Sequence, residues 1–315
     1  MFCVLFMLRA IMRSTNSNSA EAGLFLRHYH QLPGWEPEFA SSSPMYAPLR
    51  HLAKHFAKFS QWPGLQDYQA LLDARSEPVL THAGMPLRIV GQDGKPGSFE
   101  EHYAPRIYNT GELQTRCENW HDFFQFLTWL MFPETKAVIN SLHLPSARQR
   151  IETTQALGRR TPIENMLSLF DEGGVVIVSS DESLLQLIRE FRWKELFWQR
   201  RGELERKLTC VTFGHAMYEK GLAPYLGMTA NAVLIETDAG FFEQQSTAQL
   251  KGLDKQLAAI FRVGDVLTKP KDLQPFPILG MPGWDQANST EAYYDNTHYF
   301  RLGRGGSNKA IANVV

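Results

Sequence analysis

Two motifs of this chain place a histidine close to a carboxylate. In the first, His121 and Asp122 are adjacent at the start of a strongly hydrophobic segment. In the second, His215 follows a hydrophobic run and Gly214, and Glu219 comes four residues later, a spacing that puts both on one helix face. A carboxylate beside an imidazole orients the ring and raises its basicity, as general-base or metal chemistry requires. The candidate catalytic residues are therefore His121, Asp122, His215 and Glu219.

Both motifs also have a structural interpretation, which we weigh above the catalytic one. His121, Gln125 and Thr128 form a polar stripe that is expected to face water, and a carboxylate at position 122 is favoured at the positive end of a helix. A histidine and a glutamate one turn apart often form only a surface ion pair. His215 is the stronger candidate of the two histidines, because it follows a predicted strand and ligands of open α/β sheets bind at the carboxyl ends of strands.

Further candidate binding residues lie at three places in the chain. Asp171 and Glu172 precede Gly173 and could hold a hard cation, although Asp-Glu-Gly-Gly is also typical of an ordinary turn, which we prefer. Asn119 suits the cap of the hydrophobic helix. In the C-terminal part, a Pro-Gly turn with an aromatic neighbour can close over a pocket, but a strap that covers a sheet edge is the default interpretation. The candidates in this arm are Trp284, Asp285 and Asn288.

A local cluster of basic residues suggests a third type of function. Its arginines, Arg148, Arg150, Arg159 and Arg160, could meet phosphate. No aromatic stacking residues are interleaved with them, and 32 Lys plus Arg against 33 Asp plus Glu give no overall field for a polyanion. Phosphate or RNA binding is therefore the second alternative, and the composition argues against nucleic acid as the partner.

The hydrophobic pattern predicts the elements that position these residues. A buried helix is expected over residues 120–132, with a second helix after Pro133. Three strands are expected at 175–178, 208–213 and 232–235, with helices at 184–197 and 248–261. This order predicts a mixed α/β (α+β) fold, with a small sheet of about three to five strands and packed helices. The N-terminal part is expected to be helical, and the C-terminal part to be an extended arm rich in aromatics and proline.

Length and composition favour one globular domain. The chain has 315 residues, of which 43% are hydrophobic and 21% charged. We place the domain at 23–301, between a flexible extension (1–22) and a disordered tail (302–315).

The three cysteines form no disulfide or zinc pattern, so a reducing, cytoplasmic location is expected. The apolar start, residues 1–12, is too short to span a bilayer, so a soluble protein without a membrane span is predicted.

Several motifs together resemble a known bacterial family. They are Asn119-Trp120-His121-Asp122, Phe132-Pro133 with residues 136–140, Leu169 to Gly173, Phe213-Gly214-His215 with Glu219, and Leu279 to Trp284 with Ala287-Asn288 and Tyr294-Asp295. The resemblance, to the family called domain of unknown function 3025, covers about residues 33–301. It implies a bacterial, cytoplasmic protein, and it brings no activity, catalytic residue or cofactor with it.

Two functional hypotheses follow, and the sequence leaves open whether the protein is an enzyme. The preferred one is a non-catalytic binding or interaction protein, with a small molecule or another protein as its partner, because no phosphate loop, GxSxG, HExxH or dinucleotide motif occurs. The alternative is a metal-dependent hydrolase in which the His, Asp and Glu side chains surround a divalent metal of unspecified identity. The hypotheses differ on one point, namely whether His121 and His215 become neighbours in the fold.

Overall fold

The computed structural model describes residues 32–92, 94, 98–152 and 160–303. Helices and strands alternate along most of the chain. In chain order they are α1 (Arg50–Ala53), α2 (Leu65–Asp73), β1 (Arg88–Gly91), α3 (Tyr103–Thr110), β2 (Glu112–Thr115), α4 (Trp120–Met131), α5 (Pro133–Glu152), α6 (Pro162–Gly173), β3 (Gly174–Ser179), α7 (Glu182–Arg189), α8 (Arg201–Lys207), β4 (Leu208–Thr212), α9 (His215–Gly221), β5 (Thr229–Glu236), α10 (Ser246–Val263) and β6 (Gln274–Pro277). The predicted extension 1–22 lies outside the described residues, as does the predicted tail 302–315 apart from its first two residues.

A four-stranded sheet forms the centre of the molecule, in the order β4-β3-β5-β6. All six residues of β3 are buried, as expected for its run of β-branched side chains between two neighbouring strands. β3 and β5 are parallel, whereas β4 and β6 run antiparallel to their neighbours. β1 and β2 form a separate parallel pair. The predicted mixed α/β fold with a small sheet and packed helices is confirmed.

The antiparallel pairing of β3 and β4 brings two chain segments together at one sheet edge. Val175 pairs with Thr212, and the backbone N–H groups of Phe213 and Gly214 both donate to the carbonyl of Gly174, at 3.0 and 2.8 Å. The carboxyl end of β4 therefore lies beside the amino end of β3. This corrects the expectation that His215 sits at the ligand-binding edge of a parallel sheet, because β4 runs in the opposite direction to β3 and β5.

Helix α4 is the buried helix that the sequence predicts. Asn119 caps it, since its side-chain Oδ1 accepts a hydrogen bond from the Asp122 N–H at 3.0 Å. The predicted water-facing stripe is wrong: Asp122, Gln125 and Thr128 are all buried. Thr128 shows the reason, because its hydroxyl donates to the carbonyl of Phe124 inside the helix and also lies 3.3 Å from the carbonyl of Phe213, at the end of β4.

Helix α6 overturns the prediction of a turn at Asp171 and Glu172. The helix begins with a capping box, in which the Thr161 side chain and the Glu164 side chain each bind the other residue's backbone N–H. It continues through Gly173, so both carboxylates belong to its last turn. Gly174 has a φ of −74°, and the two glycines therefore connect a helix to a strand without left-handed backbone.

The N-terminal part is less regular than predicted. In place of one continuous helix it has a 3-10 segment (Pro44–Leu49) followed by the short α1. Pro48 lies inside this segment and supplies no N–H for a continuous α-helix. Helix α3 lies between β1 and β2 and ends at Gly111, which adopts a positive φ of 72°.

The C-terminal arm packs its aromatic side chains onto the body, as predicted. Tyr294, Tyr299 and Phe300 are buried, and the Tyr299 hydroxyl donates to the carbonyl of Met228. The arm also supplies β6, an edge strand that the sequence did not indicate. In the part of the chain that the structure describes, no helix combines the length and apolar character needed to cross a bilayer.

Asp254 of α10 caps the start of α5. Its two carboxylate oxygens accept hydrogen bonds from the N–H groups of Glu134 and Thr135, at 2.9 and 2.8 Å. We expect Asp254→Ala to lower the free energy of unfolding by about 1–3 kcal/mol, because two N–H groups at a buried helix start lose their acceptors. Chemical denaturation measures the change. Asp265→Ala, an exposed aspartate just beyond the same helix, is the control and should change the stability by less than about 0.5 kcal/mol. Equal losses in both variants would contradict the prediction.

Candidate functional site

Two histidines from different helices meet at the edge where β4 ends. His121 lies in the first turn of α4, and His215 is the first residue of α9. Their Nε2 atoms are 3.0 Å apart, and the two rings are nearly perpendicular, with an interplanar angle of 83°. The side chain of His215 is only 2% exposed, whereas that of His121 is 16% exposed. The pair therefore lies at the boundary of the core, with His121 towards solvent.

Glu219 supports His121 and not the histidine of its own helix. Its Oε2 atom lies 3.0 Å from His121 Nδ1. Because a carboxylate only accepts hydrogen bonds, the Nδ1 of His121 carries the proton and donates it to Glu219. In the neutral ring this leaves the Nε2 lone pair directed at His215. The sequence predicted a pair between His215 and Glu219. In the structure each of these two side chains contacts His121 instead.

The end of α6 brings two more carboxylates to the histidines. Glu172 Oε2 lies 3.9 Å from His215 Nε2, and Asp171 Oδ2 lies 4.0 Å from His215 Nδ1. The other oxygen of Asp171 accepts a hydrogen bond from the ammonium of Lys136, at 2.6 Å. Carboxylates from one helix thus approach both ring nitrogens of His215.

Gly214 allows this close approach. A Cβ atom at position 214 would lie 2.4 Å from the carbonyl oxygen of Glu172 and 2.6 Å from the backbone nitrogen of Gly173. Both contacts are with backbone and are far shorter than real Cβ contacts. A side chain at this position would therefore separate the end of α6 from the start of α9, and with them Glu172 from His215.

The surroundings of the two histidines shift their pKa values in opposite directions. Burial acts to lower the pKa of His121, but the hydrogen bond to Glu219 and the nearby carboxylates of Glu172 and Asp122 outweigh it and raise the pKa above its usual value. Burial, reinforced by the neighbouring His121, lowers the pKa of His215 well below its usual value. His215 is therefore a neutral ring at neutral pH, as a metal ligand must be, whereas the raised pKa of His121 means that a metal competes with a proton at that ring.

His121, His215 and Glu172 form a donor set suited to a divalent metal. One ligand atom from each lies within 4.8 Å of the others. Two ligands that each lie about 2.1 Å from a zinc ion are at most about 4.2 Å apart. The 3.0 Å and 3.9 Å separations from His215 meet this limit, and the separation of His121 from Glu172 is bounded by 4.8 Å. Two imidazoles and one carboxylate are also the ligand types of catalytic zinc sites that keep a position open for water.

Asp122 and Asn119 have structural partners instead. Both oxygens of Asp122 accept hydrogen bonds from the Arg116 guanidinium, at 2.8 and 2.9 Å, and one of them also accepts from the Arg116 backbone N–H. The Asn119 side chain caps α4, as described above. Adjacency to His121 in sequence therefore does not make Asp122 its partner, because neighbouring helical positions point in different directions.

The candidates in the C-terminal arm bind the arm itself. Asn288 is 1% exposed, and its amide N–H₂ group donates to the carbonyls of Leu279 and Met281. Asp285 accepts hydrogen bonds from the Ala287 N–H and from a tyrosine hydroxyl of the arm. Trp284 is half-buried. These contacts support the strap interpretation of the arm.

The arginine cluster is only partly described. Arg148 lies over the ring of Phe99, at 5.6 Å from its centroid, and Arg160 donates to the Ser168 hydroxyl. The side chain of Arg150 and the whole of Arg159 lie outside the described residues. Phosphate or RNA binding by this cluster stays a prediction.

Lys136 is the residue of the site that the sequence reasoning missed. Its side chain is 3% exposed, which is unusual for lysine without a buried partner. The sequence contains one indication of its role: Lys136 directly precedes the apolar run Ala137-Val138-Ile139 and is the only basic residue in 133–142. A lysine next to an apolar run lies either at the surface or in a buried ion pair, and the sequence pattern alone does not distinguish these two cases.

Fold and site together define a mixed α/β protein with a histidine and carboxylate cluster at the edge of its central sheet. The chain belongs to the family described as protein of unknown function DUF3025, whose family model matches residues 87–304. This confirms the predicted family, and the matched region contains all of the clustered residues named above. No curated protein and no solved structure matches the chain.

Proposed function

We propose that this protein is a metal-dependent hydrolase, with His121, His215 and Glu172 as the metal ligands. One observation carries the proposal: imidazoles 94 positions apart in the chain have their Nε2 atoms 3.0 Å apart, with a carboxylate beside them. The non-catalytic hypothesis expected scattered histidines, and in this fold they are adjacent. Of the two hypotheses, the geometry supports the enzyme better.

Each residue has a defined role in this proposal. A divalent ion such as zinc lowers the pKa of a bound water to about 7 and so supplies hydroxide at neutral pH. His121 and His215 would hold the ion through their Nε2 atoms, and Glu219 orients the His121 ring through its Nδ1–H. The buried side of the cluster, at His215, excludes water, while the more exposed His121 and Glu172 leave an approach for substrate.

Elemental analysis of full-length protein purified without chelators tests the proposal. We expect about one divalent metal ion per chain, and reloading of chelator-stripped protein by zinc in a calorimetric titration. Hydrolysis of p-nitrophenyl acetate and p-nitrophenyl phosphate is then compared between stripped and zinc-loaded protein. We expect metal-dependent cleavage of at least one of these probes. Protein that purifies without metal and does not bind added zinc would overturn the proposal.

The same geometry favours a second candidate, a metal-free general acid–base enzyme. Glu219, His121 and His215 form a continuous chain in which both separations, carboxylate to ring and ring to ring, are 3.0 Å, a normal hydrogen-bond distance. Such a chain can carry a proton between the buried ring and the carboxylate. This candidate expects no bound metal, so the elemental analysis separates it from the first one.

We also propose a bacterial, cytoplasmic origin for the protein. The support is the resemblance between its motifs and the bacterial family, together with the absence of a disulfide pattern among its cysteines.

A further inference from the structure

A buried lysine lies behind the histidine cluster. Lys136, near the start of α5, is 3% exposed, and its ammonium lies 2.6 Å from Asp171 Oδ1 and 5.5 Å from the centroid of the Trp129 ring. An ammonium held this far from water needs a counter-charge with good geometry, because removing a charge from water is costly. The contact between Lys136 and Asp171 is therefore a strong constraint on where the aspartate side chain lies.

The two oxygens of Asp171 have different neighbours. Oδ1 accepts the hydrogen bond from Lys136, and Oδ2 lies 4.0 Å from His215 Nδ1. Within the described residues this buried Nδ1 atom has no hydrogen bond of standard geometry, and the Asp171 residue offers it two acceptors, the backbone carbonyl and Oδ2. Rotation of the carboxylate away from His215 would break its contact with the ammonium. Each histidine of the pair thus has a carboxylate on its Nδ1 side: Glu219 for His121, and Asp171 for His215.

We propose that Lys136 is a positioning residue of the metal centre. It holds the Asp171 carboxylate behind His215, so that Oδ2 accepts a hydrogen bond from the His215 Nδ1–H when Nε2 binds a divalent cation. This hydrogen bond requires the 4.0 Å separation to shorten by about 1 Å. A carboxylate at Nδ1 fixes the tautomer that leaves the Nε2 lone pair for the metal, and it makes the ring a better ligand. The inference rests on the proposed metal centre, and it adds a residue that does not touch the ion.

Zinc affinity measured against a chromogenic chelator, together with the visible spectrum of the cobalt-loaded protein, tests this role. We expect Lys136→Met to bind zinc about 10–100-fold more weakly than the wild type and to show a changed cobalt spectrum, since loss of such a supporting group has effects of that size. Lys194→Met is the matched control: Lys194 also pairs with two carboxylates, those of Asp295 and Glu291, but these ion pairs lie at the protein surface. Its zinc affinity and spectrum should equal those of the wild type.

A double variant separates positioning from simple charge neutralisation. Lys136→Met/Asp171→Leu replaces the ion pair by apolar side chains, a change that is often neutral for stability. We expect thermal stability to recover in the double variant while zinc binding stays at least about tenfold weaker than in the wild type. Recovery of zinc affinity together with stability would overturn the positioning role. Zinc binding by the wild type with unchanged affinity in Lys136→Met would overturn it too, and leave the metal centre intact. A wild type that binds no zinc would overturn both proposals.

Discussion

We expect His215→Ala and His121→Ala each to abolish stoichiometric metal binding. Both variants remove one of the two imidazoles whose Nε2 atoms lie 3.0 Å apart, and a single imidazole with one carboxylate is a poor site for zinc. The zinc affinity should fall by more than about a hundredfold, beyond the loss that follows from removing a supporting group that does not touch the ion. Elemental analysis of the purified variants and a zinc titration measure this effect.

His298→Ala is the control for the histidine variants, because His298 is exposed in the C-terminal arm. It should retain the metal content of the wild type. Since His215 is buried, its removal also leaves a cavity, so circular dichroism and thermal unfolding must accompany each titration. His121→Ala is the cleaner variant, because that side chain is closer to solvent. A folded His121→Ala protein with unchanged metal content would show that the metal, if present, binds elsewhere.

Gly214→Ala is expected to damage the site while it leaves every candidate ligand in place. The new methyl group would lie 2.4 Å from the carbonyl oxygen of Glu172, so the end of α6 and the start of α9 must move apart. Glu172 and His215 would then separate. We expect the free energy of unfolding to fall by about 1–3 kcal/mol, as for other substitutions that overpack a core, and zinc binding to weaken by at least about tenfold.

Gly252→Ala makes the same chemical change where there is space. Gly252 lies exposed in α10, and a Cβ atom there would meet nothing within 4 Å. Alanine should raise the stability of this variant by about 0.5–1 kcal/mol, because glycine is unfavourable in a helix interior, and zinc affinity should not change. Denaturant unfolding and zinc titration of the two variants side by side give the comparison. Unchanged zinc affinity in Gly214→Ala would mean that Glu172 is not a ligand.

The local pattern predicted most elements of the fold but not all of their ends. The hydrophobic residues of α4 and the β-branched run of β3 identified both elements, because their periods differ and each is strongly apolar. Helix α6 was missed, although Thr161, Pro162 and Glu164 form a standard helix start. The following double glycine suggested a turn, but glycine also ends helices without adopting positive φ, and only the contacts with β4 decide between the two.

The candidate site was predicted in part. The choice of His121, His215 and Glu219 rested on residue type and on their position at predicted helix starts, and all three are in the cluster. Asp122 was chosen because it is adjacent to His121, yet it binds Arg116. Adjacency in sequence is a poor guide to contact on a helix, since successive side chains point about 100° apart.

By itself the sequence determined which side chains could act as ligands, which helix is buried, and which residue caps it, because these depend on residue type and on spacing within one element. Tertiary structure alone decided the partners: Glu219 with His121, Lys136 with Asp171, and Glu172 with His215. The reason is physical. The antiparallel pairing of β3 with β4 and the packing of α9 against α4 bring together residues that are tens of positions apart, and no local pattern specifies such distances.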